Sequence, residues 1–162
     1  MSGILLLFAA VVTTAGTSSC GHKEALYPEE HQRYQRIDAA VETLRAAYET
    51  KDAAKINSLF LPMDLLERLD REIKRDFEQF EEIALDWGID RIMIQGDLIE
   101  VYLHWQGTWK RKAGDMGLRE RGHGMLRWIG VHSILLSSVE GDVPFGISSR
   151  QPGSRPRTPT GS

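Results

Sequence analysis

The hydrophobic positions of this 162-residue chain change their spacing along its length. Residues 4–12 (ILLLFAAVV) are an apolar run without a charge, too short to span a bilayer as a permanent helix. From Pro28 onward the spacing is helical: Ile37, Val41, Leu44 and Tyr48, with Ala40 and Ala47 beside them, form one stripe. Pro28, Glu29 and Glu30 suit a first helical turn, where proline lacks only an N–H that has no partner and acids complement the helix dipole. Asp52 is placed to cap a short second helix through Phe60, which ends before Pro62. A third helix is expected from near Asp64, with Leu66, Leu69, Ile73, Phe77, Phe80 and Ala84 as its stripe.

After Trp87 and Gly88 the period drops to two. Ile92 and Ile94 alternate with Arg91, Met93 and Gln95, Gly96 and Asp97 make a two-residue turn, and Ile99, Val101, Leu103 and Trp105 follow on one face of the next strand. Pairing Gln95 with Leu98 sets Ile94 against Ile99 and Ile92 against Val101, so both apolar sets share a side. Met93, Glu100, Tyr102, His104 and Gln106 then face the other way. Gly107 is expected to bulge or bend this strand. A turn around residues 113–117 leads to a third strand from Arg119 to Trp128, and Ser133 to Val139 supplies a fourth. Helices followed by strands predict an α+β domain: N-terminal helices packed in the concave face of a curved antiparallel sheet.

Composition adds limits. Hydrophobic residues at 41% and charged residues at 27% are those of an ordinary globule. A net charge of −3 and a pI near 6.0 give no support for nucleic-acid binding. Cys20 is the one cysteine, so no intramolecular disulfide can form. It follows the apolar run and a stretch of small residues ending in Thr17, Ser18 and Ser19, which resembles a bacterial lipoprotein signal. The resemblance implies diacylation of Cys20, an envelope location and anchoring through that lipid, on the periplasmic face of the outer membrane if the cell is Gram-negative. An unpaired cysteine in an exported chain is then explained. The expected organisation is a signal over 1–19, a linker over 20–27, one domain over 28–146 and a disordered, basic, proline-bearing tail over 147–162.

Over about residues 28–146 the element order, with a long helix before the first hairpin, resembles the nuclear transport factor two-like (cystatin-like) cone fold. The ending EGDVPFG (residues 140–146) is similar to the close of small exported lipoproteins of that superfamily. The resemblance implies either an isomerase or dehydratase-type enzyme, or a non-catalytic binding or dimerising domain; fold alone does not choose. In such enzymes a buried Asp, His or Tyr at the cone mouth moves protons. By position Asp86, at the expected junction of helix and sheet, and Tyr48, on the first stripe, are the weak catalytic candidates. Tyr48, Trp87, Ile99, Val101, Leu103 and Trp105 would line a cavity for a small apolar ligand, as core residues first.

No cofactor is expected, since the chain has no glycine-rich phosphate loop and no thiolate cluster. No histidine pair has helical ligand spacing, so no metal site is expected either, although His104 and His123 could meet across strands. The glycines of RGHGM, Gly122 and Gly124, suggest strand curvature. Asp76, Glu78, Glu81, Glu82, Asp86 and Asp90 form an acidic run without a Lys or Arg between them until Arg91. Lys110, Arg111, Lys112, Arg119 and Arg121 concentrate positive charge around the second hairpin. Either these are solvated faces, or the hairpin docks on an anionic partner. The outer sheet face, through Met93, Tyr102 and Met125, could also pair two copies. The leading reading is a lipid-anchored, non-catalytic binding or interaction module, working through the cone or the sheet.

Overall fold

The computed structural model describes residues 28–150, and Cys20 and the expected signal, with most of the expected tail, lie outside them. Three helices, α1 (Pro28–Glu49), α2 (Ala53–Leu59) and α3 (Asp64–Gln79), precede β1 (Glu82–Gln95), β2 (Leu98–Lys110), β3 (Leu118–Ile129) and β4 (Leu135–Gly141). A short α4 (Ile147–Arg150) follows. The strands form one antiparallel sheet in the order β1-β2-β3-β4. Among the described residues no helix is long and apolar enough to cross a membrane.

The stripe of α1 is buried at Ile37, Val41, Leu44, Ala47 and Tyr48. Arg33 donates to Gly96 O (2.6 Å) and Arg36 to Val131 O (3.2 Å), tying the helix to the β1–β2 turn and the β3–β4 loop. Asp52 caps α2 by accepting from Lys55 N, as its position predicts. The first hairpin has the expected register: Gln95 opposite Leu98, Ile94 opposite Ile99 and Ile92 opposite Val101. Gly96 supplies the positive φ (59°) that its turn needs.

Three features differ from the sequence pattern. α3 stops at Gln79, and Ala84 stands on a strand, exposed, rather than on a helix. Phe77, Phe80 and Ala84 keep a helical spacing, but Ile83 and Leu85 also alternate with polar neighbours, and pairing with Trp109 and Gly107 decides for the strand. Gly107 carries no bulge; the shift in register lies between Ile89 and Arg91. Gly107 instead leaves room for an aromatic ring, since a Cβ there would lie 2.5 Å from Trp109 Cη2. Finally, the ordered chain runs past Gly146, because Ile147 and Ser148 are buried in α4.

β1 is an edge strand, and α1 covers part of it. Leu85 N donates to Glu49 Oε1 (2.6 Å) while Arg45 donates to Leu85 O (2.8 Å). These two side chains satisfy a residue that would otherwise offer its backbone to another strand.

Candidate functional site

The interior of the cone holds one polar knot. Tyr48, from the α1 stripe, donates its hydroxyl to Asp76 Oδ2 (2.7 Å) and accepts from Trp109 Nε1 (3.0 Å). Asp76, on α3, also accepts from Gly146 N (2.7 Å), Ile147 N (3.2 Å) and Ser148 N (2.8 Å). All three side chains are fully buried. A buried carboxylate is costly unless donors surround it, and here the chain itself supplies four. Burial, and then the neighbouring charge of Asp76, push the Tyr48 phenol well above its ordinary 10.0, so it stays a protonated donor. The rings of Phe77 and Phe145 lie 5.6 and 5.0 Å from that of Tyr48.

Of the expected cavity lining, Ile99, Val101 and Leu103 join Tyr48 in the packed core. Trp105 is also buried, with its indole N–H donating to Asp142 O (2.6 Å), and Trp87 is half-buried. Asp86 stands in the middle of β1, exposed on the outer face and accepting from Gln106 (3.2 Å), and not at a junction of helix and sheet. The two weak catalytic candidates therefore lie on opposite faces of the sheet.

The outer face divides into two halves. In one, Arg127 donates to Glu100 (3.0 Å) and Glu140 (2.8 Å), the Tyr102 hydroxyl donates to Glu100 (3.0 Å), and the Arg91 guanidinium sits 4.3 Å over the Tyr102 ring. Arg127, and then Tyr102, hold the Glu100 carboxyl below its ordinary range. This network covers the apolar patch expected from Met93, Tyr102 and Met125, of which Met125 is buried. In the other half, His104 and His123 stand opposite each other with ring centroids 6.4 Å apart, and His104 Nδ1 lies 2.6 Å from Asp90 Oδ1. Two open grooves, of about 770 and 630 Å³, share Asp86, Gln106 and Arg121 and extend to Thr108 and Arg119 on one side and to His123 on the other. A third, of about 450 Å³, lies between α2 and α3. None of the three is lined by Tyr48 or Asp76. Among the described residues no three His, Cys, Asp or Glu side chains are grouped to hold a metal.

Much of the acidic run is spent on the chain's own neighbours. Glu82 accepts from Lys110, its cross-strand partner (2.9 Å), and Glu81 from Ala113 N (3.1 Å). Asp86, Asp90 and Asp76 have the partners already named. Among the described residues, Arg119 and Arg121 have no hydrogen-bond or ion-pair partner, and both line the larger groove.

Asp76, read in the sequence only as part of an acidic face, is the main polar residue of the interior. Its signal was its place between Ile73 and Phe80, on the apolar stripe of α3. Trp109, two and four residues from Gly107 and Trp105, continues the inward period of β2. Gly122 and Gly124 also face inward: a Cβ would lie 2.9 Å from Trp105 Cζ2 at one, and 2.9 Å from Val143 Cγ1 at the other. They make room for packing.

No protein-family model and no curated protein sequence matches the chain. Solved structures do resemble it. A nuclear transport factor 2 (NTF2-like) superfamily protein from Salmonella enterica serovar Typhimurium superposes with a TM-score of 0.61 at 13% identity, over 71% of this chain and 93% of that one. A conserved protein from Planctomyces limnophilus gives 0.54 at 16% identity, over 69% and 99%. The Kfla4162 protein from Kribbella flavida gives 0.58 at 13%, over 69% and 90%. At such identities the likeness is one of backbone architecture. Helices lining one face of a curved four-stranded antiparallel sheet give this chain the NTF2-like cone fold.

Proposed function

We propose that this chain is a non-catalytic interaction module, tethered to the cell envelope by lipid on Cys20, that meets its partner through the open half of the outer sheet face. The supporting observation is a contrast in how polar groups are used. Inside the cone, the Asp76 carboxylate is surrounded by donors from its own chain and is closed to solvent. A general base needs access to a substrate proton, and this carboxylate has none. Outside, Arg119 and Arg121 lie without partners among the described residues beside a groove that also offers Gln106, Thr108 and Asp86. Unpaired charges next to hydrogen-bonding groups in an open groove suit a polar partner surface.

The test is native mass spectrometry of the protein purified from its own host's membranes, as wild type and as the Arg119→Glu/Arg121→Glu variant. The wild type should carry a second copy or an envelope component that the variant loses. A small molecule retained one-to-one by both proteins, or a bare monomer from both, overturns the sheet-face reading. Anchoring is tested separately: Cys20→Ala should move the protein into the carbonate-soluble fraction, and a variant that stays with the membrane refutes the lipid tether.

A further inference from the structure

The fourth strand is too short to cover the third. β4 pairs with β3 only from Gly124 to Ile129, so among the described residues no strand lies beside Leu118–Gly122. Backbone groups of an antiparallel strand point alternately to its two sides. The His123 carbonyl points away from β2, since it accepts from Asp142 N (3.0 Å). Arg121 and Arg119, two and four residues earlier, therefore turn their N–H and C=O groups to that same side, where no described residue meets them. Arg119, Glu120 and Arg121 are all exposed. The two arginines project onto the outer face, opposite Thr108 and Gln106, and strand alternation sends Glu120 the other way. Among the described residues none of the three side chains has an ion-pair partner. The β1 edge, by contrast, is closed at Leu85 by Glu49 and Arg45.

We infer that Arg119–Arg121 is a template edge to which another protein adds an antiparallel strand carrying acid, base and acid at consecutive positions. In that pairing the two acids exchange backbone hydrogen bonds with Arg119 and Arg121 and set their carboxylates on the same face as the guanidinium groups. The base between them lies opposite Glu120. Main-chain bonds supply affinity and the alternating charges supply choice of partner. A second copy does not fit. Antiparallel self-pairing here sets Arg119 against Arg121 and Glu120 against Glu120, like charge on like. The outer-face acids of a copy's β1, Glu82 and Asp86, stand on the edge that α1 closes at Leu85. Nor do the ends of this chain fit: residues 1–27 contain one acid, Glu24, and residues 151–162 contain none. The strand partner presupposes the sheet-face reading and gives it a chemistry, an extended polypeptide segment of alternating charge.

The probe is the peptide acetyl-Val-Glu-Lys-Glu-Val-amide, titrated into the isotope-labelled full chain and followed by amide NMR and calorimetry. The Arg119 and Arg121 amides should shift and become protected from hydrogen exchange, while those of Ile94 and Ile99 stay unchanged. Methylating the backbone nitrogens of both peptide glutamates keeps their charges and should weaken binding at least about ten-fold. Exchanging the charges, to Val-Lys-Glu-Lys-Val, should weaken it at least about ten-fold, and Arg119→Gln/Arg121→Gln in the protein about five-fold. Both substitutions lie at exposed positions, and an unchanged amide spectrum elsewhere shows that the fold is kept. If the arginine variant binds weakly but backbone methylation has no effect, the peptide sits on the face by charge alone; strand addition fails and the sheet-face reading survives. If neither change matters, both fail. No binding up to about 1 mM peptide means that the arginines only guard the edge, and the strand partner is refuted.

Discussion

Replacing Tyr48 with Phe deletes one oxygen atom and leaves the ring contacts with Phe77 and Phe145 in place. That oxygen makes two bonds inside the cone, donating to Asp76 at 2.7 Å and accepting from Trp109 Nε1 at 3.0 Å. Losing a hydrogen bond to a charged group costs about 1.5–3 kcal/mol, and leaving a buried N–H unpaired costs about 1–3 kcal/mol. The two overlap, and a less polar ring recovers some free energy on burial, so a net loss of about 2–4 kcal/mol is expected. Equilibrium urea unfolding, followed by tryptophan fluorescence and far-ultraviolet circular dichroism, measures it. Trp109→Phe and the double variant complete a cycle: with the indole N–H already gone, removing the hydroxyl should cost about 1 kcal/mol less. A cost below about 0.5 kcal/mol for Tyr48→Phe would mean that water enters and satisfies both groups. The interior would then be wet, and both the closed cone and the argument against a base at Asp76 would fail.

Other expectations follow from the same contacts. Because the folded Tyr48 phenol lies well above its ordinary 10.0, the unfolded chain gives up that proton first. Stability due to Tyr48 is therefore complete below pH 10 and declines as the pH rises beyond it. The advantage of wild type over Tyr48→Phe should shrink above pH 10, and parallel pH profiles would contradict the raised value. Gly107→Ala puts a Cβ 2.5 Å from Trp109 Cη2 and should cost about 1–3 kcal/mol in urea; no change would show that the indole has room to move. Ending the chain at Gly146 removes buried Ile147 and two amide bonds to Asp76. It should cost about 2–4 kcal/mol, read from the melting temperature, whereas an unchanged melt would return α4 to the dispensable tail. Trp105→Ala should cost about 3–5 kcal/mol, and a near-neutral result would place that side chain at a surface.

Periodicity is what made the fold readable. The α1 stripe, the Asp52 cap and the register of the first hairpin depend on residues near one another in sequence, where side-chain direction repeats every 3.6 or 2 positions. The same local logic failed where both periods fit. Between Phe77 and Leu85 the apolar positions satisfy a helix and a strand alike, and only the partner strand, with Trp109 opposite Ile83, separates them. Asp86 was misplaced by that error alone. Composition likewise missed α4, because Ser148 and Ser149 look like tail residues until the amide of Ser148 meets Asp76.

The sequence by itself determined the class of the domain, its inward faces and the clustering of acids from Asp76 to Asp90 and of bases around the second hairpin. These are properties of the chain read a few residues at a time. Only the tertiary structure decided what the charges do. Glu82 and Lys110 cancel across two strands, Asp76 is consumed by amides some seventy residues away, and Arg119 and Arg121 are left beside a groove. The physical reason is distance. A charge becomes a latch, a pair or a binding group according to what lies within about 3 Å of it, and in this chain those partners come from elements far apart in sequence.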